Sequence, residues 1–446
     1  MTSFLIIILF VNAFSINSLI AYGYLPLGSK MITEVMIYLL FIYSLCVKMS
    51  GKDRKYDFHM LYLFSSLLLV AACSIMVNEY YGFKALIGMR TVLRFYVLYL
   101  ALINLDMNEK QIRIINIALI LIFVAQLPAS AIRFMFYGVS ERTIGTYADR
   151  GGGLTTIFPI LILGYMVGYY AYFKKKVSYL LLAFCYALYG LAGAKRALIF
   201  LYPFFMFVLY YIISLREMKM SVAKHLLIFV IMICVTVGFV WINLEYNTSL
   251  AFEQNRNIFK GEQLREKEGV TYLLNYTVAY NKYSRLGGTV AAIDLVFQAG
   301  FPQVFFGMGP GSLTGSRFWN EKLLVDQRIT EVRKWYGTTG FSHIVVEYGF
   351  TGVVILILFF LALTSMCWKY YKIETEPYWK AFATGSLIFV FLVLFDFLIY
   401  SNMCLVSDTL LPVFYYAMAV IRIRSRKRSK TNLCLKKTLT VEGIRS

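Results

Sequence analysis

The stretch TTGFSHIVVEYGFTGVVILILFFLAL, residues 338–363, changes character within a few residues. It begins as a polar segment and continues as an apolar run to Leu363. A helix of about 20 apolar residues is long enough to cross the ~30 Å hydrocarbon core of a bilayer. The stretch therefore predicts a membrane-spanning helix with an imidazole, His343, and a carboxylate, Glu347, near its N-terminus. Because four residues make about one helical turn, both side chains are expected on the same face.

The composition extends this prediction to the whole chain, in which 59% of residues are hydrophobic and 15% are charged. Soluble proteins average about 25% charged residues, so a polytopic membrane protein is indicated rather than a soluble domain with one anchor. The first apolar run has no basic segment before it and is expected to be a retained span. An all-α fold with about 12 transmembrane helices is expected, at 4–22, 31–47, 60–77, 85–104, 114–136, 154–173, 177–193, 197–215, 226–243, 343–366, 380–401 and 403–421.

Lysine and arginine are concentrated in alternate loops, and this asymmetry predicts the orientation of the chain. The loops rich in these residues, together with both chain termini, are expected to face the cytoplasm. These loops and the basic tail carry most of the net charge of +20, and no nucleic-acid-binding motif accompanies that charge. The basic loops are 48–58, 105–113, 174–176, 216–225, 367–379 and the tail from Arg422.

The order of the apolar runs divides the chain into four parts. Residues 1–243 hold predicted spans one to nine, 244–342 form a large extracytoplasmic loop with short helices, 343–421 hold spans ten to twelve, and 422–446 form a basic cytoplasmic tail. Within the loop, LGGTVAAIDLVFQAG (286–300) predicts a helix packed against the membrane domain. None of the seven cysteines lies in this loop, and the sequence has no CxxC, so neither a disulfide framework nor a zinc site is predicted.

Charged residues inside spans are costly in a bilayer and usually mark function. Arg90 and Arg94 are one turn apart, and two like charges on one buried face repel unless an anion lies between them. For Arg133, Asp396 and Asp408, snorkelling to the headgroups or mutual pairing is an equally good interpretation. A polar cavity that opens at the outer face is nevertheless indicated, because the predicted topology places nearly all such residues in the outer half: Glu34, Arg90, Arg94, Arg133, His343, Glu347, Asp396 and Asp408.

Two glycine-rich segments lie beside predicted spans. FGMGPGS (306–312) contains Gly307, Gly309 and Gly311, and such a turn can present backbone N–H groups to phosphate. It neither follows a Rossmann strand nor precedes a Walker lysine, so a simple sharp turn is the alternative. GTYADRGGG (145–153) is either a flexible turn before the next span or part of an anion site that includes Arg142 and Arg150.

These motifs resemble the O-antigen polymerase / O-antigen ligase superfamily of bacterial membrane glycosyltransferases. The similar stretches are SRLGGTVAAIDLVFQAGFPQVFFGMGPGS (284–312) and GFSHIVVEYGFTG (340–352): an arginine, a helix, a glycine-rich turn and a histidine segment that enters a span. GLAGAKRALIF (190–200) is similar to the Ser-Arg-Gly element between two spans, and GTYADRGGG resembles the loop before the next span. Ala194-Lys195-Arg196-Ala197 replaces the Ser-Arg-Gly element, and Ile344 follows the histidine where the family often has asparagine.

The resemblance implies a GT-C-like architecture in the bacterial inner or plasma membrane. It implies an oligosaccharide donor linked to a lipid diphosphate, normally undecaprenyl diphosphate, and an acceptor hydroxyl at the outer face. No metal or nucleotide-sugar cofactor is expected. His343 as a base, Glu347 as its partner and Arg285 are then the candidate catalytic residues. The candidates for diphosphate binding are Arg196, Arg150, Arg142, Arg90 and Arg94.

Four functions remain open at this point. A polymerase of O-antigen, capsular or exopolysaccharide repeat units is the favoured one, with a flippase and a chain-length regulator as expected partners. A ligase that moves finished glycan to an acceptor would use the same chemistry. A flippase of lipid-linked units would usually show repeated halves and charge near the midplane, and the sequence shows neither. A scaffold without chemistry would leave His343 and the outer arginines unexplained.

Overall fold

The computed structural model of the chain describes residues 2–50, 56–79, 83–137, 145–146, 153–193, 197–217, 285–313 and 339–442. Regular secondary structure in these ranges is entirely helical, and no strand occurs among them. Apolar runs fold in this way in a bilayer because each backbone N–H and C=O must find its hydrogen bond within the segment. The prediction of an all-α fold is confirmed for the described part of the chain.

The helices follow the apolar runs closely. A 3-10 turn at Leu27–Lys30 precedes α2, and a π-helical turn at Asp396–Tyr400 follows α12. In chain order they are α1 (Thr2–Ala21), α2 (Met31–Ser50), α3 (Leu61–Val77), α4 (Phe83–Asn104), α5 (Glu109–Tyr137), α6 (Leu154–Tyr172), α7 (Val177–Ala192), α8 (Ala197–Glu217), α9 (Arg285–Ala299), α10 (Phe301–Phe306), α11 (Gly340–Ile373), α12 (Pro377–Phe395), α13 (Met403–Val406) and α14 (Leu410–Glu442).

Seven segments among the described residues are long and apolar enough to cross a membrane. Three shorter apolar helices coincide with further predicted spans: Leu61–Val77, Val177–Gly190 and Leu201–Ser214. The chain is therefore a polytopic helical membrane protein. The predicted span at 226–243 and most of the predicted loop at 244–342 lie outside the described residues. The seven segments are Thr2–Ile20, Gly28–Ser50, Ala85–Asn104, Glu109–Phe136, Leu154–Tyr172, Gly340–Ile373 and Pro377–Tyr400.

The prediction of one helix over 403–421 is wrong. Helix α13 ends at Val406, and α14 begins at Leu410 and continues to Glu442, through residues predicted to form a tail. The polar residues between the two helices have partners that favour a break. Ser407 Oγ accepts a hydrogen bond from the N–H of Leu410 at 3.0 Å, as an N-cap does. Thr409 Oγ1 donates to the carbonyl of Ala13 at 2.9 Å.

Successive long helices run in opposite directions, so their ends gather at the two ends of a bundle. One end, called the basic end here, holds the C-termini of α2, α4, α6 and α11. Ion pairs join its loops: Lys48 with Asp106, Arg422 with Asp57 at 3.1 Å, and Arg113 with Glu376 at 2.7 Å. The loops predicted to be basic therefore meet at one end wherever the structure describes them.

The opposite end, called the His343 end here, holds the N-termini of α2, α4, α6 and α11. The N–H of Gly340 donates to the carbonyl of Ser401 at 2.8 Å, which ties the start of α11 to the loop after α12. Helix α9 lies where the sequence predicts a helix. Its residues Ala292 and Leu295 pack against Val346 of α11. This packing brings α9, α10 and the following glycines to the start of α11.

Candidate functional site

The first turns of α11 carry the pair that the spacing predicts. His343 Nε2 lies 3.4 Å from Glu347 Oε1, which confirms that the two side chains share a face. Both are buried, His343 at 7% exposure and Glu347 at 1%. Glu347 Oε1 also accepts a hydrogen bond from the N–H of Leu313 at 3.1 Å. A carboxylate beside an imidazole fixes the orientation of the ring.

A capping box holds the start of this helix in place. Thr339 Oγ1 accepts from the N–H of Ser342 at 3.2 Å, and Ser342 Oγ accepts from the N–H of Thr339 at 2.7 Å. Such reciprocal bonds satisfy two of the donors left open at a helix N-terminus. His343 follows directly after this cap, so its backbone position is well defined.

Helix α11 breaks at Gly349, which has φ +65° and ψ −172°. Only glycine adopts this region of conformational space without strain. The segment of α11 after the break is about 36 Å long at ~1.5 Å per residue, which is sufficient to cross a bilayer by itself. His343 and Glu347 therefore lie on a separate short helical segment, set off by Gly349 from the long membrane-crossing part.

The glycine turn, defined as residues 307–313, packs directly on this break. Gly307, Gly309 and Gly311 all have positive φ, so each glycine is required by the backbone. The N–H of Met308 donates to the carbonyl of Val346 at 2.6 Å. A Cβ added to Gly307 would lie 2.6 Å from the backbone of Glu347, which shows how closely the two segments approach.

The N–H groups of the glycine turn are mostly used within the protein. Gly307 N–H donates to the carbonyl of Gln303 at 2.8 Å, and Ser312 N–H donates to the carbonyl of Gly309 at 3.1 Å. With Met308 and Leu313, this makes four N–H groups that have protein acceptors. The geometry thus favours the simple interpretation, a sharp turn that packs on α11, over a cradle for phosphate.

Arg285 lies at the N-terminus of α9, and its guanidinium carbon is 4.6 Å from the centre of the Tyr400 ring. The Tyr400 hydroxyl is 2.6 Å from Thr156 Oγ1 on α6, so the ring is tied to a second helix. The fully buried Asp396 lies on the same π-turn, accepts hydrogen bonds from Ser401 Oγ and from the N–H of Cys404, and interacts electrostatically with Arg285. Arg285 is therefore positioned by the π-turn, whose Tyr400 is held in turn by α6.

Arg90 and Arg94 have the anion that their spacing requires, and the protein itself supplies it. Glu34 of α2 lies between them, with Oε1 2.6 Å from Arg94 Nη1 and Oε2 3.3 Å from Arg90 Nη1. Arg94 also pairs with Asp408 at 2.7 Å. Two carboxylates and two guanidiniums give this group zero net charge. Arg94 is buried between both acids, whereas Arg90 is half-buried and remains accessible from one side.

The other predicted site residues have different outcomes. Arg142, Arg150 and Arg196 lie outside the described residues. Arg133 donates to Ser18 Oγ at 3.3 Å, and its guanidinium lies 5.2 Å from the Tyr22 ring. At the His343 end, the structure brings together His343, Glu347, Arg285, Arg90, Arg94 and the glycine turn.

Sequence reasoning missed the partners of these residues. Glu34, Asp396 and Asp408 stood out as intramembrane charges, but their pairing with particular arginines had no local signal. Asn78 was not singled out, although its Nδ2 donates to the carbonyl of Gly307 at 2.9 Å. Gly88 lies two residues before Arg90, and a Cβ there would collide with the backbone N of Gly311.

Within the described ranges, no group of three or more His, Cys, Asp or Glu side chains could hold a metal ion. The donors at the His343 end are instead an imidazole, carboxylates and guanidiniums. This set can accept a proton and stabilise an anion. No protein-family model matches the chain, and no curated protein matches it.

Proposed function

We propose that the chain is a membrane glycosyltransferase that polymerises oligosaccharide repeat units carried on undecaprenyl diphosphate. The products would be O-antigen, capsular or exopolysaccharide chains. The observation that carries the proposal is the contact of His343 with Glu347 in a buried helical segment at the end of the bundle that also holds Arg285. The motif resemblance between 284 and 352 supports it independently.

In the proposed reaction, His343 accepts the proton of the acceptor hydroxyl while Glu347 orients the ring. The hydroxyl oxygen bonds to the anomeric carbon of the donor glycan. The bond from that carbon to the lipid diphosphate breaks, and undecaprenyl diphosphate leaves with the electron pair. Negative charge on the leaving diphosphate is stabilised by Arg285 through charge-assisted hydrogen bonds.

The remaining arginines have unequal support as diphosphate ligands. Arg90 is the stronger of the α4 pair, because it is half-buried and shares a single carboxylate with Arg94. The charge of Arg94 is matched by Glu34 and Asp408, which favours a structural role. Arg142, Arg150 and Arg196 are proposed as further ligands on the sequence pattern alone.

The proposal includes the topology that the sequence predicts. Twelve spans in a GT-C-like arrangement, a large loop after span nine and cytoplasmic termini would place the His343 end at the outer face of the bacterial inner membrane. The basic end would then face the cytoplasm, in agreement with the distribution of Lys and Arg. A flippase would deliver the donor, and a chain-length regulator would act on the product.

Complementation of a deletion strain tests the proposal. Cells that carry the wild type, His343→Gln, Arg285→Lys or the control His59→Gln are compared for glycan on gels, with membrane expression checked. His59 lies at the basic end, far from the proposed site, so its replacement controls for the loss of an imidazole. We expect a ladder of repeat lengths for wild type and control, and a single repeat unit for His343→Gln.

Two other outcomes would redirect the assignment. Long glycan that is made but left unattached in the deletion strain would indicate a ligase. Repeat units retained on the cytoplasmic leaflet would indicate a flippase. A normal ladder from His343→Gln would remove the proposed base.

A further inference from the structure

The segment from Leu295 to Ser316 contains no charged residue, although the sequence predicts that it belongs to an extracytoplasmic loop. At about 25% charged residues, a water-exposed stretch of this length would carry roughly five. It includes the last five residues of α9, all of α10 and the glycine turn. Its composition is thus that of a membrane-embedded segment.

Helix α10 has its polarity reversed relative to a helix in water. Phe301 and Phe305 are 77% and 42% exposed, and their rings are in contact at 4.9 Å between centroids. The polar residue Gln303 points inward instead, where its Nε2 donates to Asn78 Oδ1 at 3.2 Å. In water the aromatic rings would turn inward and the amide outward. Apolar surroundings remove that preference.

Much of the irregular backbone that follows α10 is hydrogen-bonded within the protein. Non-helical backbone at membrane depth is tolerated where it is buried in protein or lines a water-filled cavity. Gly309, Pro310 and Gly311 are buried. The carbonyl of Gly307 accepts from Asn78 Nδ2, and the N–H of Met308 donates to Val346.

Neighbouring helices give the depth of the turn. Its residue Gly311 abuts Gly88, which lies inside the membrane-crossing segment Ala85–Asn104. On its other side, the carbonyl of Gly307 lies 3.4 Å from Ser74 Oγ, within the apolar helix α3. The turn therefore lies level with the last turn of α3 and the second turn of α4, and not beyond the ends of these helices.

We propose that α10 and the glycine turn form a re-entrant element whose Phe301–Phe305 face contacts the acyl chains of the leaflet at the His343 end. Residues 295–313 then belong to the membrane-embedded part of the protein. The inference rests on burial, hydrogen bonding and depth, and it holds whether or not the chain is a glycosyltransferase.

Fluorescence quenching in nanodiscs tests the location of this face. Single-cysteine variants Phe301→Cys and Phe305→Cys, in a background with the seven native cysteines replaced, are labelled with the fluorophore NBD. Quenching by a phosphatidylcholine with a doxyl group on its acyl chain is compared with quenching by aqueous iodide. Leu361→Cys, on an exposed face of α11, is the lipid control. Lys175→Cys, in the exposed loop after α6, is the water control.

We expect the labels at 301 and 305 to be quenched strongly by the doxyl lipid, as the label at Leu361 is. Iodide should quench them at least about fivefold less than it quenches the label at Lys175, because hydrocarbon excludes water. Labels that follow Lys175 would overturn the proposal, and so would labels that neither quencher reaches. Should the cysteine-free background fail to fold, Phe301→Asp replaces the labels in the native chain. It should lower the unfolding temperature in nanodiscs, while Phe301→Leu should not. Equal unfolding temperatures would also overturn the proposal.

Discussion

The two ends of the bundle treat charge differently. At the basic end, Glu109 and Glu376 share Arg113 and Arg424, and partly exposed side chains are common, with Glu109 at 41% and Arg113 at 37%. At the His343 end, Glu34 and Arg94 are paired at 10% and 9% side-chain exposure. Ion pairs that reach water are screened and individually weak, whereas a buried ion depends strictly on its partner. The Glu109–Glu376 network at the basic end is thus expected to tolerate the loss of one charge, whereas the Glu34–Arg94 pair at the His343 end is not.

Neutralising one acid at each end should give the largest difference in stability between the two ends. Glu34→Gln leaves the buried Arg94 with one carboxylate fewer and should cost about 3–5 kcal/mol in stability. Glu376→Gln removes a partly exposed member of a network and should cost about 1 kcal/mol or less. Unfolding of both variants in detergent measures the difference. Equal losses would mean that burial does not distinguish the two ends.

The contact between the glycine turn and α11 should be the next most sensitive feature. In Gly349→Ala, the new Cβ would collide with the carbonyl of Phe305 and would also occupy a region reserved for glycine, at a cost of about 3 kcal/mol. Gly23 has φ +76° but nothing within 4 Å of a Cβ, so Gly23→Ala isolates the cost of φ alone. We expect about 1 kcal/mol for that control. Thermal unfolding that ranks Gly23→Ala at or above Gly349→Ala would contradict the close contact.

Both ends also place guanidinium groups on aromatic rings, which allows a matched test of function. Arg285 lies on Tyr400 at 4.6 Å, and Arg113 lies on Tyr378 at 4.4 Å. Loss of a cation–π contact worth about 1 kcal/mol corresponds to a roughly fivefold lower reaction rate. Tyr400→Leu should therefore reduce polymer formation about fivefold in the complementation assay, while Tyr400→Phe keeps the ring and most of the product. Tyr378→Leu should leave polymer formation unchanged. A similar loss of polymer from Tyr378→Leu would show that Tyr400→Leu acts through general stability and not through its contact with Arg285.

The smallest expected effect concerns pH at the basic end. Burial, helped by the charge of Arg422, lowers the pKa of His59 to about 4, and its Nδ1 is 2.7 Å from the Tyr99 hydroxyl. The folded protein holds the ring neutral, whereas the unfolded chain binds a proton near pH 6.5. Stability from this residue is therefore complete above pH 6.5 and is lost as the pH falls towards 4.

Between pH 7.5 and pH 5, the wild type should lose about 1–2 °C more in unfolding temperature than His59→Asn, after a discount for the partial exposure of the ring. Melting curves in detergent at both pH values measure this. Parallel shifts for the two proteins would show that His59 titrates normally in the folded state.

The sequence was sufficient for features that depend on local pattern. Apolar runs predict the long helices, because in a bilayer a run of that length has no alternative to helix. The i,i+4 spacing of His343 and Glu347 predicts their contact, and the helix at Arg285–Ala299 lies where it is expected. The roles of these residues in chemistry stay predictions.

Features that depend on distant partners could not be predicted from pattern. Glu34 and Arg94 are far apart in the chain, so nothing in the sequence indicates which buried acid meets which arginine. Hydropathy averaged over 403–421 conceals the break at Ser407–Thr409, since three polar residues are outweighed by their neighbours. Gly349 stands within an apolar run, and composition does not reveal that its φ is positive.

The glycine turn and the break in α11 complete each other, because the Val346 carbonyl receives the N–H of Met308 where the helix is interrupted. This mutual dependence constrains the number of residues in the glycine turn as well as their types. One residue inserted or deleted between Phe306 and Leu313 would shift Met308 away from Val346 or Leu313 away from Glu347. Homologous chains that keep this arrangement should therefore vary in side chains along the turn but preserve its number of residues.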